Sequence, residues 1–276
     1  MFVKLGDKFN FNMRNSSSCN GKLAERNESS FFRYKLYNTR SDGMSFIELE
    51  NIEREYLVGG SVIKAVDGIS FSIEKGSFNV ILGQSGAGKT TILNMLGGMD
   101  SPTRGRLTVG GTEISKMSEG ELTVYRRHRI GFVFQFYNLV PNLTAQENVQ
   151  LAREICKDPL DAEEMLDRVG LSARKNNFPS QMSGGEQQRV SIARALSKNP
   201  DIILCDEPTG ALDSGTGRKV LKLIRDVARD MGKTVIIVTH NAPIAEMAQK
   251  VIHMRDGKVY EMRENPAPKD VEEIEW

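Results

Sequence analysis

The sequence predicts an α/β protein with a mainly parallel core sheet covered by helices on both faces, and three observations predict it. The first is Gly83-Gln84-Ser85-Gly86-Ala87-Gly88-Lys89-Thr90, which fits the phosphate-loop pattern of Gly, four residues, Gly-Lys-Ser/Thr. Phe78, Val80, Ile81 and Leu82 before it form a short apolar run that reads as a buried strand, and Ile92, Leu93, Met95 and Leu96 after it repeat at helical spacing. The second is the rhythm beyond residue 181, where the apolar runs 202–205 and 235–238 alternate with amphipathic stretches at 186–196 and 216–231. Strands that are apolar on both faces and alternate with helices belong to parallel sheets. The third is composition: 276 residues, 39% hydrophobic and 26% charged, are ordinary for a globular protein of one large domain or two small ones.

Composition also excludes some classes. A net charge of +1 gives no case for a general nucleic-acid binder. No apolar run approaches the roughly 18 residues of a membrane-spanning helix, and the N-terminus lacks the continuous apolar core of a secretory signal. Cys19, Cys156 and Cys205 are scattered and outside any C-x-x-C spacing, which argues for a reducing compartment and against a zinc site or disulfide frame. The expectation is a soluble protein of the cytosol.

Taken in order, residues 1–45 carry polar runs at Asn15–Ser18 and Asn27–Ser30, eight Lys/Arg and four Asp/Glu. They read as a disordered basic arm, or as residues upstream of a start at Met44. The segment 46–56 alternates as a strand ending in Gly59-Gly60. Ile69, Phe71 and Ile73 alternate next, and the turn Glu74-Lys75-Gly76 leads into the phosphate-loop strand. Strands joined this directly are expected to pair antiparallel, with Leu107–Val109 as a further piece of that sheet. Ser118 with Glu121, Thr144 with Glu147 and Asp161 with Glu164 are helix starts. The first helix is expected to run through Tyr125 and to leave Arg126, Arg127 and Arg129 as a solvated end. Ile130–Phe134 reads as a strand that delivers Gln135, and residues 137–180 are mostly helical. Met165, Leu166 and Val169 form the inner face of one of those helices, which Gly170 stops. Asp256-Gly257 is a hairpin turn, and the tail after Met262, with two basic and five acidic residues, is expected to fray.

The chemistry sits at strand ends. Successive N–H groups of the glycine loop at a helix start form a nest for phosphate oxygens, Lys89 reaches the β- and γ-phosphates, and the Thr90 hydroxyl suits Mg²⁺. Asp206-Glu207 ends an apolar strand, where open parallel sheets hold their ligands. One carboxylate there can hold Mg²⁺ through water while its neighbour polarises the attacking water. Ser183-Gly184-Gly185-Glu186 is a second anion nest at a helix N-terminus. Gln135 and His240 also end strands, and each gains weight from the company it keeps.

Together these motifs resemble the nucleotide-binding subunit of an ATP-binding-cassette (ABC) transporter over residues 46–262. The ordered set comprises the Walker A loop at 83–90, Gln135 of the Q-loop, the signature Met182-Ser183-Gly184-Gly185-Glu186, the Walker B strand at 202–207, the D-loop Ala211-Leu212-Asp213 and the switch His240. The signature departs from the family's commonest LSGGQ, with Met for Leu and Glu for Gln. The resemblance implies a P-loop NTPase of ABC ATPase type, with an antiparallel β-subdomain, an inserted helical subdomain at about 137–190, and an acidic tail at 263–276.

It also implies roles. Tyr56 would stack on adenine. Gly83, Ser85, Gly86, Ala87, Gly88, Lys89, Thr90 and Thr91 would hold the phosphates of ATP, with Thr90, Gln135 and Asp206 around Mg²⁺. Glu207 would be the general base and His240 the γ-phosphate sensor, with Gln135 and Lys89 completing the catalytic set. Ser183, Gly184, Gly185 and Glu186 would cap ATP held by the other subunit of a head-to-tail dimer, most simply a homodimer, and Asp213 of the D-loop would also bind ATP. A separate transmembrane permease would be contacted near residues 135–145, which sets the chain on the inner face of the plasma membrane. The stretches 132–139, 143–149 and 184–190 are similar to the macrolide-export and lipoprotein-release branch. That branch points to export, lipoprotein release or antimicrobial-peptide resistance. The alternative class is a soluble ABC ATPase acting on nucleic acid or ribosomes. Against it, Lys89 and Ser183 stand 94 positions apart with no sustained heptads between them, and the chain has one motif set.

Overall fold

The computed structural model describes residues 45–275; the basic arm read in residues 1–45 lies outside them but for Ser45. Two sheets organise the chain. Strands β1 (Ser45–Val58), β2 (Ser61–Glu74), β4 (Arg104–Val109) and β5 (Thr112–Glu113) make an antiparallel sheet in the order β2-β1-β4-β5. Strands β3 (Phe78–Gly83), β6 (Ile130–Phe134), β7 (Ile202–Asp206), β8 (Thr234–Thr239), β9 (Lys250–Arg255) and β10 (Lys258–Glu264) make the second, in the order β10-β9-β3-β8-β7-β6. From β9 to β6 every pairing in it is parallel, and β10 closes the edge as an antiparallel hairpin through Asp256-Gly257.

The expectation that β2 and the phosphate-loop strand pair is corrected here. β2 pairs with β1, whereas β3 pairs with β8 and β9 in the other sheet. The three-residue turn after β2 carries the chain between sheets. The cause is burial, since Phe78 through Ile81 are all buried and need cover on both faces, which an edge place beside half-exposed β2 does not offer.

Helices α1 (Lys89–Leu96), α2 (Glu119–Arg129), α3 (Ala145–Arg153), α4 (Ala162–Arg168), α5 (Gly184–Ser197) and α6 (Ser214–Asp230) cover the faces. Side-chain caps start five of them, Ser118, Thr144 and Ser183 closing full capping boxes and Asp161 and Asp213 accepting from backbone N–H groups. Each cap satisfies donors that a helix start leaves open and is worth about 1 kcal/mol. Helix α2 runs one turn past Tyr125, so the arginines expected beyond it form its last turn, where cations suit the dipole. Residues 135–201 contain no strand.

Two apolar cores flank the parallel sheet. Ile81, Ile236, Ile252 and Met254 face α1 and the antiparallel sheet; Val80, Ile203, Ile237 and Val251 face α5, α6 and the segment after β8. The tail expected to fray does not. Val271 and Ile274 are each 2% exposed and belong to the second core. Arg225 and Lys222 of α6 pair with Asp270 and Glu272, and Lys269 pairs with Glu246. Charge composition marked the segment as polar, while two apolar side chains within it decide its placement.

Candidate nucleotide site

Parallel register brings the strand ends together. Phe134 stands beside Asp206, Asp206 beside Val238, and Leu82 beside Thr239. The residues that follow are Gln135, Glu207, His240 and the glycine loop, so four connections separated in sequence open on one edge. A cavity of about 1170 Å³ lies there, lined by Gly83, Ser85, Gly86, Gly88, Lys89, Thr90, Thr91, Gln135, Asp206, Glu207 and His240 among others. Its size suits a nucleotide.

The loop is built from backbone approach. Gly88 has φ +94°, and a Cβ placed on it would come within 2.3 Å of the Ala65 carbonyl oxygen, so this position accepts only glycine. Ala87 does not line the cavity; it is buried behind the loop, and its carbonyl accepts from the Gly257 N–H at 3.2 Å. Lys89 is 7% exposed and donates to the carbonyls of Gly83 at 2.8 Å and Gln84 at 2.9 Å. Two of its three donors are thus used, leaving one for a phosphate oxygen.

Asp206 and Glu207 are adjacent carboxylates with different surroundings. Burial, and then the charge of Glu207, push the Asp206 carboxyl above its ordinary range, and a hydrogen bond from Thr90 works the other way. Glu207 adopts φ +45°, a left-handed backbone that a glutamate holds only when neighbours enforce it. Its N–H donates to the Val238 carbonyl at 3.0 Å, while its carboxylate accepts from the Thr239 hydroxyl at 2.9 Å and the His240 N–H at 3.0 Å. His240 Nδ1 lies 2.7 Å from the same carboxylate. The carboxylate is therefore held at the strand end, facing the cavity.

Ser183, Gly184, Gly185 and Glu186 do not line this cavity. Ser183 closes its own capping box, donating from N to the Glu186 carboxylate at 2.8 Å and from Oγ at 2.9 Å. Gly185 packs against Thr216 of α6 so closely that a Cβ would stand 2.3 Å from its methyl group. Asp213 lines a neighbouring 150 Å³ pocket with Glu207 and His240 and caps α6 by accepting from the Thr216 N–H at 3.0 Å. Contacts from Thr216 hold its carboxyl below the ordinary range.

Tyr56 is not among the residues that line the cavity. Its hydroxyl donates to Asp100 at 2.5 Å, and the Arg54 guanidinium lies 4.6 Å from its ring centre and 2.6 Å from the same carboxylate. The cross-strand partner of Tyr56, Ile63, does line the cavity, and directly opposite residues of an antiparallel pair share a face. Sequence reasoning missed Ala65 and the turn at Asp256-Gly257 as walls of the site. Ala65 acts through its backbone and carries no side-chain signal. Gly257, read as a turn residue, also bonds to the loop, as above.

A family model described as ABC transporter matches residues 66–210. The putative ABC transporter ATP-binding protein MG065 homolog of Mycoplasma pneumoniae is 43% identical over 88% of this chain, which spans 53% of that protein's length. The macrolide export ATP-binding/permease protein MacB of Rhodospirillum rubrum is 44% identical over 80% of this chain and 35% of its own length. The lipoprotein-releasing system ATP-binding protein LolD 1 of Rhodopseudomonas palustris is 42% identical over 77% of this chain and 97% of its own. A dimeric structure of the ATP-binding cassette MJ0796 in a post-hydrolysis state, bound to ADP and Pi, superposes with TM-score 0.72 at 40% identity, covering 79% of this chain and 98% of that one. The loop, the paired carboxylates and the separated signature are arranged on a fold shared with these proteins, and the chain belongs to the ABC transporter family, as a carrier of its ATP-binding ATPase domain.

Proposed function

We propose that this chain hydrolyses ATP at sites shared by two head-to-tail copies and passes the motion to a separate membrane permease, in export, lipoprotein release or antimicrobial-peptide resistance. One observation carries the reading: the anion nest at Ser183–Glu186 lies outside the cavity that holds Lys89, Asp206 and Glu207. A second phosphate nest that does not line the chain's own cavity can serve a second copy, with the Ser183–Glu186 bonds opening to receive it.

Within the site, the loop N–H groups and Lys89 bind the β- and γ-phosphates. The oxygen donors of Thr90, Gln135 and Asp206, a hydroxyl, an amide and a carboxylate, fit Mg²⁺, which takes one or two carboxylates beside phosphates and waters. When bound, the metal neutralises charge on the phosphate oxygens. Glu207 accepts the proton of the attacking water from the position that Thr239 and His240 give it. His240, occupied at Nδ1, has Nε2 left for the γ-phosphate. Ser183 and the signature glycines of the second copy exclude water from the far side.

The permease contact is assigned to residues 135–145, where Phe136 is 75% and Val140 38% exposed, apolar side chains that gain from cover. Among the described residues no helix is long and apolar enough to cross a membrane, which fits a chain bound to the inner membrane face through its partner. The test is retrieval with a tagged Glu207→Gln chain and ATP from solubilised membranes. A co-purifying permease is the expected result. Ribosomes or nucleic acid in its place would overturn the transport reading in favour of a soluble ABC ATPase.

A further inference from the structure

The loop after Gln135 and the signature helix are joined by contacts that the chemistry above does not use. Tyr137 and Asn138 have φ +53° and +51°, two consecutive left-handed residues that are not glycine, a costly conformation unless something holds it. Arg194 of α5 holds it, donating from Nη1 to the Asn138 carbonyl at 2.5 Å and from Nη2 to the Tyr137 carbonyl at 2.8 Å. A planar two-pronged donor suits two adjacent carbonyls, where an ammonium reaches as a point. Burial lowers the Arg194 pKa, a desolvation cost that the two accepting carbonyls work against.

From that anchor Tyr137 runs back along α5. Its hydroxyl reaches Gly184, where a Cβ would stand 2.6 Å from Tyr137 Oη. Gly184 to Arg194 is ten residues, about 15 Å of helix at 1.5 Å per residue, and a long helical side chain covers the turn before its own Cα. One residue is thus gripped by the C-terminal half of α5 through its backbone and touches the N-terminal signature through its ring. Two residues earlier Gln135 lines the nucleotide cavity, and beside it Phe136 is exposed.

We infer that Arg194 and Tyr137 are positioning residues: they lock the loop at 135–138 to the signature so that displacement of one moves the other. The inference rests on the reading that Ser183–Glu186 acts on ATP held by a second copy. It assigns the coupling to one half-buried guanidinium and one ring in place of the helix bundle as a whole.

The experiment uses the full chain. In the Glu207→Gln background, ATP-driven dimerisation is followed by light scattering, alongside ATP affinity and thermal midpoint; kcat and KM are measured with Glu207 intact. Arg194→Ala is expected to weaken dimerisation and lower kcat by about tenfold or more, with ATP affinity of the monomer within about twofold of the parent. Arg194→Lys should recover part of the loss, because an ammonium still reaches one carbonyl. Tyr137→Phe, which keeps the ring, should dimerise better than Tyr137→Leu.

Dimerisation and kcat of Arg194→Ala equal to the parent would overturn the inference. So would a parallel fall of ATP affinity, midpoint and kcat that Arg194→Lys does not relieve, the pattern of a purely structural arginine. If the parent Glu207→Gln chain itself stays monomeric in ATP, the two-copy reading falls and this inference falls with it; if the parent dimerises, only the inference is at stake.

Discussion

At the scale of single residues, Lys89 and Glu207 do different work and their variants should separate. In the proposed site Lys89 would contribute a charge-assisted bond to phosphate, worth about 1.5–3 kcal/mol. Lys89→Ala should therefore weaken ATP binding by about 10- to 100-fold, measured by titration; unchanged affinity would remove the lysine from the phosphate site. Glu207→Gln keeps the shape and part of the bonding to Thr239 and His240 but cannot take a proton. It should bind ATP with near-parent affinity and lose about 10²- to 10⁴-fold in kcat. Rapid turnover in that variant would assign the base elsewhere. Gly88→Ala meets both a left-handed backbone, about 1–2 kcal/mol by itself, and the Ala65 carbonyl. Loss of both stability and nucleotide binding is expected.

Elements show where the sequence was legible. Helix starts were, because caps are chemical: Ser118, Thr144 and Asp161 each accept the backbone N–H that their spacing to a following Glu predicted. Strands of the parallel sheet were legible as apolar runs bounded by turns. Pairing was not, because β2 and β3 are neighbours in sequence and belong to different sheets, and a three-residue turn says nothing about which. The surroundings of Tyr56 were hidden for a related reason: strand parity says which face a ring is on, whereas Arg54 and Asp100, the latter 44 positions away, decide where its hydroxyl goes.

The C-terminal tail is the third such case, and it carries its own predictions. Ile274→Ala removes buried methyl groups and should cost about 2–4 kcal/mol in denaturant unfolding; an unchanged midpoint would mean that the tail contributes no packing. Contacts from Glu272 and then Arg225 hold the Asp270 carboxyl well below its ordinary 3.8. A carboxyl depressed in the folded state adds stability above that ordinary value and loses it as pH falls below it. Asp270→Asn should accordingly flatten the acid side of the stability profile below about pH 4 relative to the parent.

For the molecule as a whole, the parallel register is what turns scattered motifs into a site. Strands β6, β7, β8 and β3 end level, so Gln135, Glu207, His240 and the glycine loop meet although they span more than 150 positions of sequence. The signature is excluded from that meeting and sits between Tyr137 and Thr216. Its chemistry was readable in the residues, whereas its separation from the cavity required the fold. In the proposed mechanism a second copy therefore completes the site. Complementation tests it most directly: one chain carries Lys89→Ala with its signature intact, another carries Ser183→Arg with its loop intact, and ATPase is measured for each alone and for the mixture. Each alone should be nearly inactive, and mixing should restore turnover, because a head-to-tail pair then contains one intact loop facing one intact signature. A mixture no more active than its components would contradict the shared site.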